Sequence, residues 1–284
     1  ESGVGLFVSV HGDAAGEVRD AVSEAFLDHV APVSKPSPPT GTPSRANDLR
    51  GTYRETIVED GASFEKALSP IRGRTLSVRI ADSGHLVTER RGTTHRWVEI
   101  APLVFRRVDG ADTLVFSKTG GGSRSLFRAT APRRTFESIP WYGEAPLHGQ
   151  LALIAGLVVL SGVVGWPLAA GWRYIRGGRS PTAPVSRSRW AAGGSVLALV
   201  GFGLSGVLTI FNGGLYARPS WFDFIFAFPI VGAGLALIAA GFATRAWRED
   251  EPSIPDCIHA TAVVSGLGVL YGILWYWNLL QLPR

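Results

Sequence analysis

The sequence predicts an α+β soluble part followed by a bundle of four transmembrane helices, and three observations carry this. Most of the charges fall within residues 1–147, and from Leu147 onward long uncharged apolar runs take over. Four of those runs reach the length of about 20 residues that crosses a hydrocarbon core. Between Gly51 and Ser138 the pattern is one of short β-rich stretches separated by turn residues.

In chain order, residues 3–10 read as a near-continuous apolar strand that ends at His11-Gly12-Asp13. Asp13 is placed to cap a helix over about residues 15–30, where Val18, Val22, Ala25, Phe26 and His29 recur on one face. A buried strand needs a neighbour to pair with, and none precedes this one. Residues 1–31 are therefore expected to close a domain that begins further upstream, the whole chain being the C-terminal portion of something longer. Residues 32–49 carry Pro32, Pro36, Pro38, Pro39 and Pro43 among Ser, Thr and Gly, the composition of an extended, semi-rigid linker.

Residues 50–147 are expected to form an antiparallel β domain. Its strands are predicted at Thr52–Val58, Thr75–Ile80, Leu86–Arg90, Arg96–Ile100, Leu103–Val108, Thr113–Ser117, Ser125–Arg128 and Thr135–Ile139, with a short helix at Ser63–Leu68. Ser83-Gly84, Asp109-Gly110 and Gly120-Gly121-Gly122 supply turns. Regular short strands of this kind make a small barrel or sandwich. About 90 residues close a modest core without room for a large ligand cavity.

Residues 148–284 hold the spans, at roughly 150–172, 190–212, 221–244 and 258–280. The linker 173–189 carries Arg173, Arg176, Arg179, Arg187 and Arg189 without an acid, and linker 245–257 opens with Arg245 and Arg248. The positive-inside rule puts both in the cytoplasm of a plasma-membrane protein, so the soluble part and the C-terminus face outside. Trp141, Trp221, Trp275 and Trp277 fall at the outer ends and Trp172, Trp190 and Trp247 at the inner ends, an aromatic belt at each interface; Trp97 and Trp166 stand outside it. Gln150, Asn212, Asp223, His259 and Asn278 lie near span ends, so intramembrane charge for a transport pathway is missing. Small residues recur instead, at Gly232/Ala236/Ala240, Gly201/Ser205 and Ala262/Gly266, a spacing that lets helices approach closely. An anchoring bundle is the expected role, with His259 either a polar contact or, as is usual for a helix-end histidine, interfacial.

Composition narrows the chemistry further. The formal net charge is +5, yet the arginines form no single stripe, so nucleic acid is not an expected partner and the lipid bilayer is. Arg133-Arg134 stands just before the first span, where it either meets anionic headgroups or is a solvated pair. Cys257 is the only cysteine, which excludes a disulfide framework and a thiolate zinc site. The six histidines show no metal-ligand spacing, and neither a metal nor a cofactor is expected.

The segments Gly3-Val4-Gly5-Leu6-Phe7-Val8-Ser9-Val10-His11-Gly12 and Ala21-Val22-Ser23-Glu24-Ala25-Phe26-Leu27-Asp28 resemble the closing strand and helix of a serine β-lactamase-like hydrolase. That family includes class C-type β-lactamases and penicillin-binding-like esterases and peptidases. Gly51-Thr52-Tyr53-Arg54 looks like the start of a β-rich accessory domain that follows the catalytic domain in some members. Trp166-Pro167-Leu168-Ala169 and Tyr276-Trp277-Asn278-Leu279-Leu280 are similar to their C-terminal membrane tails. The resemblance implies a truncated β-lactamase-like domain at 1–31, an accessory β domain and a membrane anchor. It also implies a partner, the upstream catalytic domain of the same polypeptide.

The family's chemistry uses Ser-x-x-Lys, then Tyr-x-Asn or Ser-x-Asn, then Lys-Thr-Gly or His-x-Gly. Ser63-Phe64-Glu65-Lys66, Tyr276-Trp277-Asn278 and Lys118-Thr119-Gly120 match as text, but the order is wrong and so are the contexts. No catalytic residue is therefore assigned, and this chain alone is expected to be inert. The reading is the accessory and anchoring part of an extracytoplasmic serine hydrolase. The alternative is a non-catalytic membrane sensor or binding protein whose β domain recognises a ligand.

Overall fold

A computed structural model describes residues 4–11, 15–30, 46–56, 65–110, 112–118, 124–177, 180–211, 222–250 and 253–280. They fall into two compact units, residues 1–59 with 68–144, and residues 60–67 with 145–284. Asp13, most of the proline-rich linker, Ser63, Thr119, the Gly120–Gly122 turn, Arg179, Asn212, Arg218 and Trp221 lie outside the described residues.

The first unit is built on a closed antiparallel barrel of eight strands. The strands are β1 (Gly51–Glu55), β2 (Thr75–Ile80), β3 (Leu86–Arg90), β4 (Thr93–Ala101), β5 (Val104–Arg107), β6 (Thr113–Lys118), β7 (Arg124–Arg128) and β8 (Ala131–Ser138). Each pairs with its neighbour in sequence, and Arg54 opposite Glu137 closes β1 on β8. Between the barrel and the sandwich that the strand spacing allowed, it is this pairing that selects the barrel. Alternation supplies the core. Tyr53, Leu76, Val78, Leu86, Trp97, Phe105, Leu114, Phe116, Leu126 and Phe136 point inward and are buried. Eight strands enclose a space that side chains can fill, and these aromatic and branched residues fill it.

Polar groups that enter this core bring their partners. The Trp97 indole N–H donates to Thr88 Oγ1 at 2.9 Å, and the Tyr53 hydroxyl donates to the Leu49 carbonyl at 2.9 Å. Asp112, 2% exposed, accepts from the Arg128 guanidinium and from the backbone N–H groups of Thr113 and Thr130. It thereby clamps the start of β6 to the β7–β8 turn. The β3–β4 connection is a two-residue turn in which Arg91 (φ 49°) and Gly92 (φ 77°) are both left-handed, matching the strand twist.

Two segments of this unit differ from the elements read in the sequence. Residues 4–11 form no strand, and Phe7 is 92% exposed. A strand is stable only where another edge takes its backbone hydrogen bonds, and no described strand pairs with this one. The helix α1 (Ala15–Val30) does form, with Val18, Val22 and Leu27 exposed rather than covered. Second, the end of the expected linker is a helical turn, α2 (Ala46–Leu49), whose Leu49 is 1% exposed and belongs to the barrel core.

The second unit holds α3 (Glu65–Leu68), in part, and four helices long and apolar enough to cross a membrane. They are α4 (Ala145–Arg176), α5 (Ala183–Phe211), the pair α6 (Phe222–Ile225) and α7 (Ala227–Ala246), and α8 (Ile254–Tyr276). The third span, 25 residues in all, is divided into α6 and α7 at Phe226, which keeps right-handed helical angles. Pro229 lies in the first turn of α7, where its missing N–H costs no helical bond. Close packing rests on glycine. A Cβ on Gly232 would stand 2.1 Å from Tyr271 Oη and 2.9 Å from Ala198 Cβ; on Gly201, 2.9 Å from Phe228. On Gly266 it would meet the Ala155 carbonyl at 3.2 Å. The buried stripe of α7 runs Gly232, Ala236, Ala239, Ala243, Ala246 rather than through Ala240, because 3.6 residues per turn requires steps of three as well as four.

Candidate functional site

Polar side chains concentrate where α8 begins. Asp256 lies in its first turn and His259 three residues on, so both lie on one side of the helix. Asp256 pairs with Arg189 of α5 and accepts from Ser253 Oγ at 3.1 Å. His259 reaches α4, with Trp166 Nε1 at 2.9 Å from its Nδ1 and Ser161 Oγ at 3.0 Å from its Nε2. The Arg189 guanidinium carbon stands 5.6 Å from the Trp166 ring centroid, joining the two pairs into one cluster.

The hydrogen-bond directions decide what this cluster can do. An indole N–H only donates, so Nδ1 accepts and a neutral His259 carries its proton on Nε2. Nε2 then donates to Ser161 Oγ, whose own proton goes to the Val158 carbonyl at 2.6 Å. A general base must accept the serine proton. Here the histidine is a donor, so the serine–histidine contact ties α4 to α8 and does not activate a nucleophile. His259 is thus an interhelical tie, the polar contact of the two readings its place near a span end allowed.

A second polar contact lies deeper. Ser195 of α5 and Tyr271 of α8, both buried, share a hydrogen bond of 2.9 Å. Near the other end of α8, Trp277 Nε1 donates to His148 Nδ1 at 2.8 Å, with the Tyr276 ring packed edge-on at 4.6 Å. His148 carried no motif in the sequence. Its signal was only its place one turn inside α4, opposite an aromatic-rich span end.

The fragments of hydrolase motif are placed as follows. Lys66 donates to the Tyr276 carbonyl and stands 3.9 Å from the Tyr276 ring centroid. Used in this way, Lys66 is a structural contact to the main chain and the ring. Asn278 is left-handed at φ 58°, just past the helix end. Lys118 ends β6 in the barrel. Among the described residues no group of three or more His, Cys, Asp or Glu is placed to hold a metal.

Along α4 and α5 runs a cleft of about 1120 Å³. Val163, Pro167, Trp190 and Leu197 give it apolar walls, and Arg173 and Arg189 are among its lining residues. No protein-family model matches the chain, and no curated protein or solved structure matches it either.

Proposed function

We propose that this chain is the accessory and membrane-anchoring part of an extracytoplasmic serine hydrolase of the β-lactamase and penicillin-binding-like family. The nucleophile stands in an upstream catalytic domain of the same polypeptide. There a serine oxygen attacks the acyl carbon of a β-lactam, a cell-wall peptide or an ester, and water hydrolyses the acyl-enzyme.

One observation carries the reading: a barrel filled by its own side chains is followed directly in sequence by four apolar helices, among whose described polar groups Trp166 is bonded to His259 and Ser195 to Tyr271. Such a chain supports and anchors. The filled interior also weighs against the ligand-sensing alternative, which needs a concave site in the β domain. In the proposed orientation the barrel and the C-terminus lie outside the plasma membrane and the linkers 173–189 and 245–257 lie in the cytoplasm. The basic residues support it, since Arg173 and Arg176 end α4, Arg187 and Arg189 begin α5 and Arg245 ends α7.

Membranes of the producing cells are labelled with a fluorophosphonate and a fluorescent penicillin, and polypeptides carrying the barrel are captured with an antibody to it. The expected result is a labelled polypeptide containing both a Ser-x-x-Lys serine and this barrel, while the chain of 284 residues alone stays unlabelled. Capture of the barrel only in unlabelled polypeptides overturns the reading. So does labelling of the short chain that Ser63→Ala abolishes.

A further inference from the structure

The cleft beside α4 and α5 joins two chemistries that a bilayer lipid also joins. Its walls are apolar, and Val263 of α8 contributes to the lining. Gly193 faces open space, since a Cβ built there meets nothing within 4 Å. Arg173, in the last turn of α4, and Arg189, in the second turn of α5, lie toward the α4–α5 turn. Arg173 has no carboxylate partner among the described residues. The Arg189 side chain is 10% exposed, and only part of it is used by Asp256. Its Nε, buried and without a hydrogen-bond partner among the described residues, is out of a ligand's reach, so Arg189 meets the cleft through the rest of its side chain.

An anionic oxygen is the strongest partner for a guanidinium, and Arg173 and Arg189 both line the cleft. Basic pockets between transmembrane helices take anionic lipid headgroups, and 1120 Å³ is more than the roughly 300–1000 Å³ of ordinary ligand sites. We infer that this cleft binds an anionic membrane phospholipid, with the phosphate on Arg173 and Arg189 and an acyl chain along Val163, Pro167, Gly193 and Leu197. A second copy of the chain would satisfy the apolar walls but not the two guanidinium groups, and free phosphate would do the reverse. Charge complementarity at one end and apolar length along the rest select the lipid.

Native mass spectrometry of the full chain tests this with phosphatidylglycerol and phosphatidylcholine of identical acyl chains. Both lipids carry the phosphate, but the choline ammonium is repelled by the two guanidinium groups, so retention of phosphatidylglycerol is expected to exceed that of phosphatidylcholine about tenfold. Arg173→Gln and Arg189→Gln should each reduce that preference, and Gly193→Leu should reduce binding of both lipids by filling the cleft. Arg189→Gln also releases Asp256, whereas Arg173 and Gly193 have no such obligation, so those two variants decide if the third fails to fold. Millimolar inorganic phosphate should leave the phosphatidylglycerol adduct in place. Equal retention of the two lipids, binding unchanged in Gly193→Leu, displacement by phosphate, or a lipid-free dimer each overturns the inference.

Discussion

Single residues show how the barrel tolerates polar atoms in its core. Tyr53 is 1% exposed and its hydroxyl is committed to the Leu49 carbonyl, so the phenolate would be buried with nothing to stabilise it but a nearby arginine. Burial pushes the Tyr53 phenol up from its ordinary 10.0 to about 12, against the opposing pull of Arg124. Between these values the unfolded chain has lost the proton and the folded chain keeps it. The contribution is therefore fully present below pH 10 and is lost as pH rises toward 12, about 2–3 kcal/mol in all. Tyr53→Phe should cost about 1 kcal/mol at pH 8 through the lost hydrogen bond, yet show a shallower alkaline loss. Urea unfolding of the full chain in detergent, followed by β-sheet circular dichroism at pH 8 and pH 11, reads both. Equal pH slopes in the two proteins would refute the assignment.

Elements in the membrane are held by shape more than by polarity, because lipid removes the hydrophobic drive for helices to associate. Two glycines on α7 separate the effect cleanly. A Cβ on Gly232 would collide with Tyr271 and Ala198, whereas one on Gly234 meets nothing within 4 Å. Gly232→Leu should destabilise the bundle by about 1–3 kcal/mol, and Gly234→Leu should be close to neutral. Thermal melting in one detergent compares them, and equal losses would show that α7 does not pack on this face. The divided third span follows the same reasoning: apolar length alone predicted one continuous helix, and Pro229 explains where α7 can start.

At the scale of the whole molecule the open question is which way the chain faces. The proposed orientation puts the α4–α5 turn in the cytoplasm and the barrel outside. In a Cys257→Ala background, single cysteines at Ser180 and Ser83, both exposed, are treated on intact cells with an impermeant maleimide. Labelling at position 83 and protection at 180 is expected; the opposite pattern reverses the topology. Apolar run length and strand alternation were enough to locate α4, α5 and α8 and all the barrel strands, because both are local signals that a chain carries whatever its partners. Thr75–Ile80 and Leu86–Arg90 match residue for residue. Residues 4–11 form no strand here since strand propensity is not strand pairing, and Leu49 was hidden since a helical turn of four residues has no periodicity to detect. The polar cluster was out of reach for a similar reason: Ser161, Trp166, Arg189 and His259 come from three helices and share no motif. The sequence by itself determined the β-rich part, the spans and the charge asymmetry of their ends. Only the tertiary structure decided that the sheet closes, which glycines touch, and that His259 donates to Ser161, because each depends on atoms brought together from distant parts of the chain.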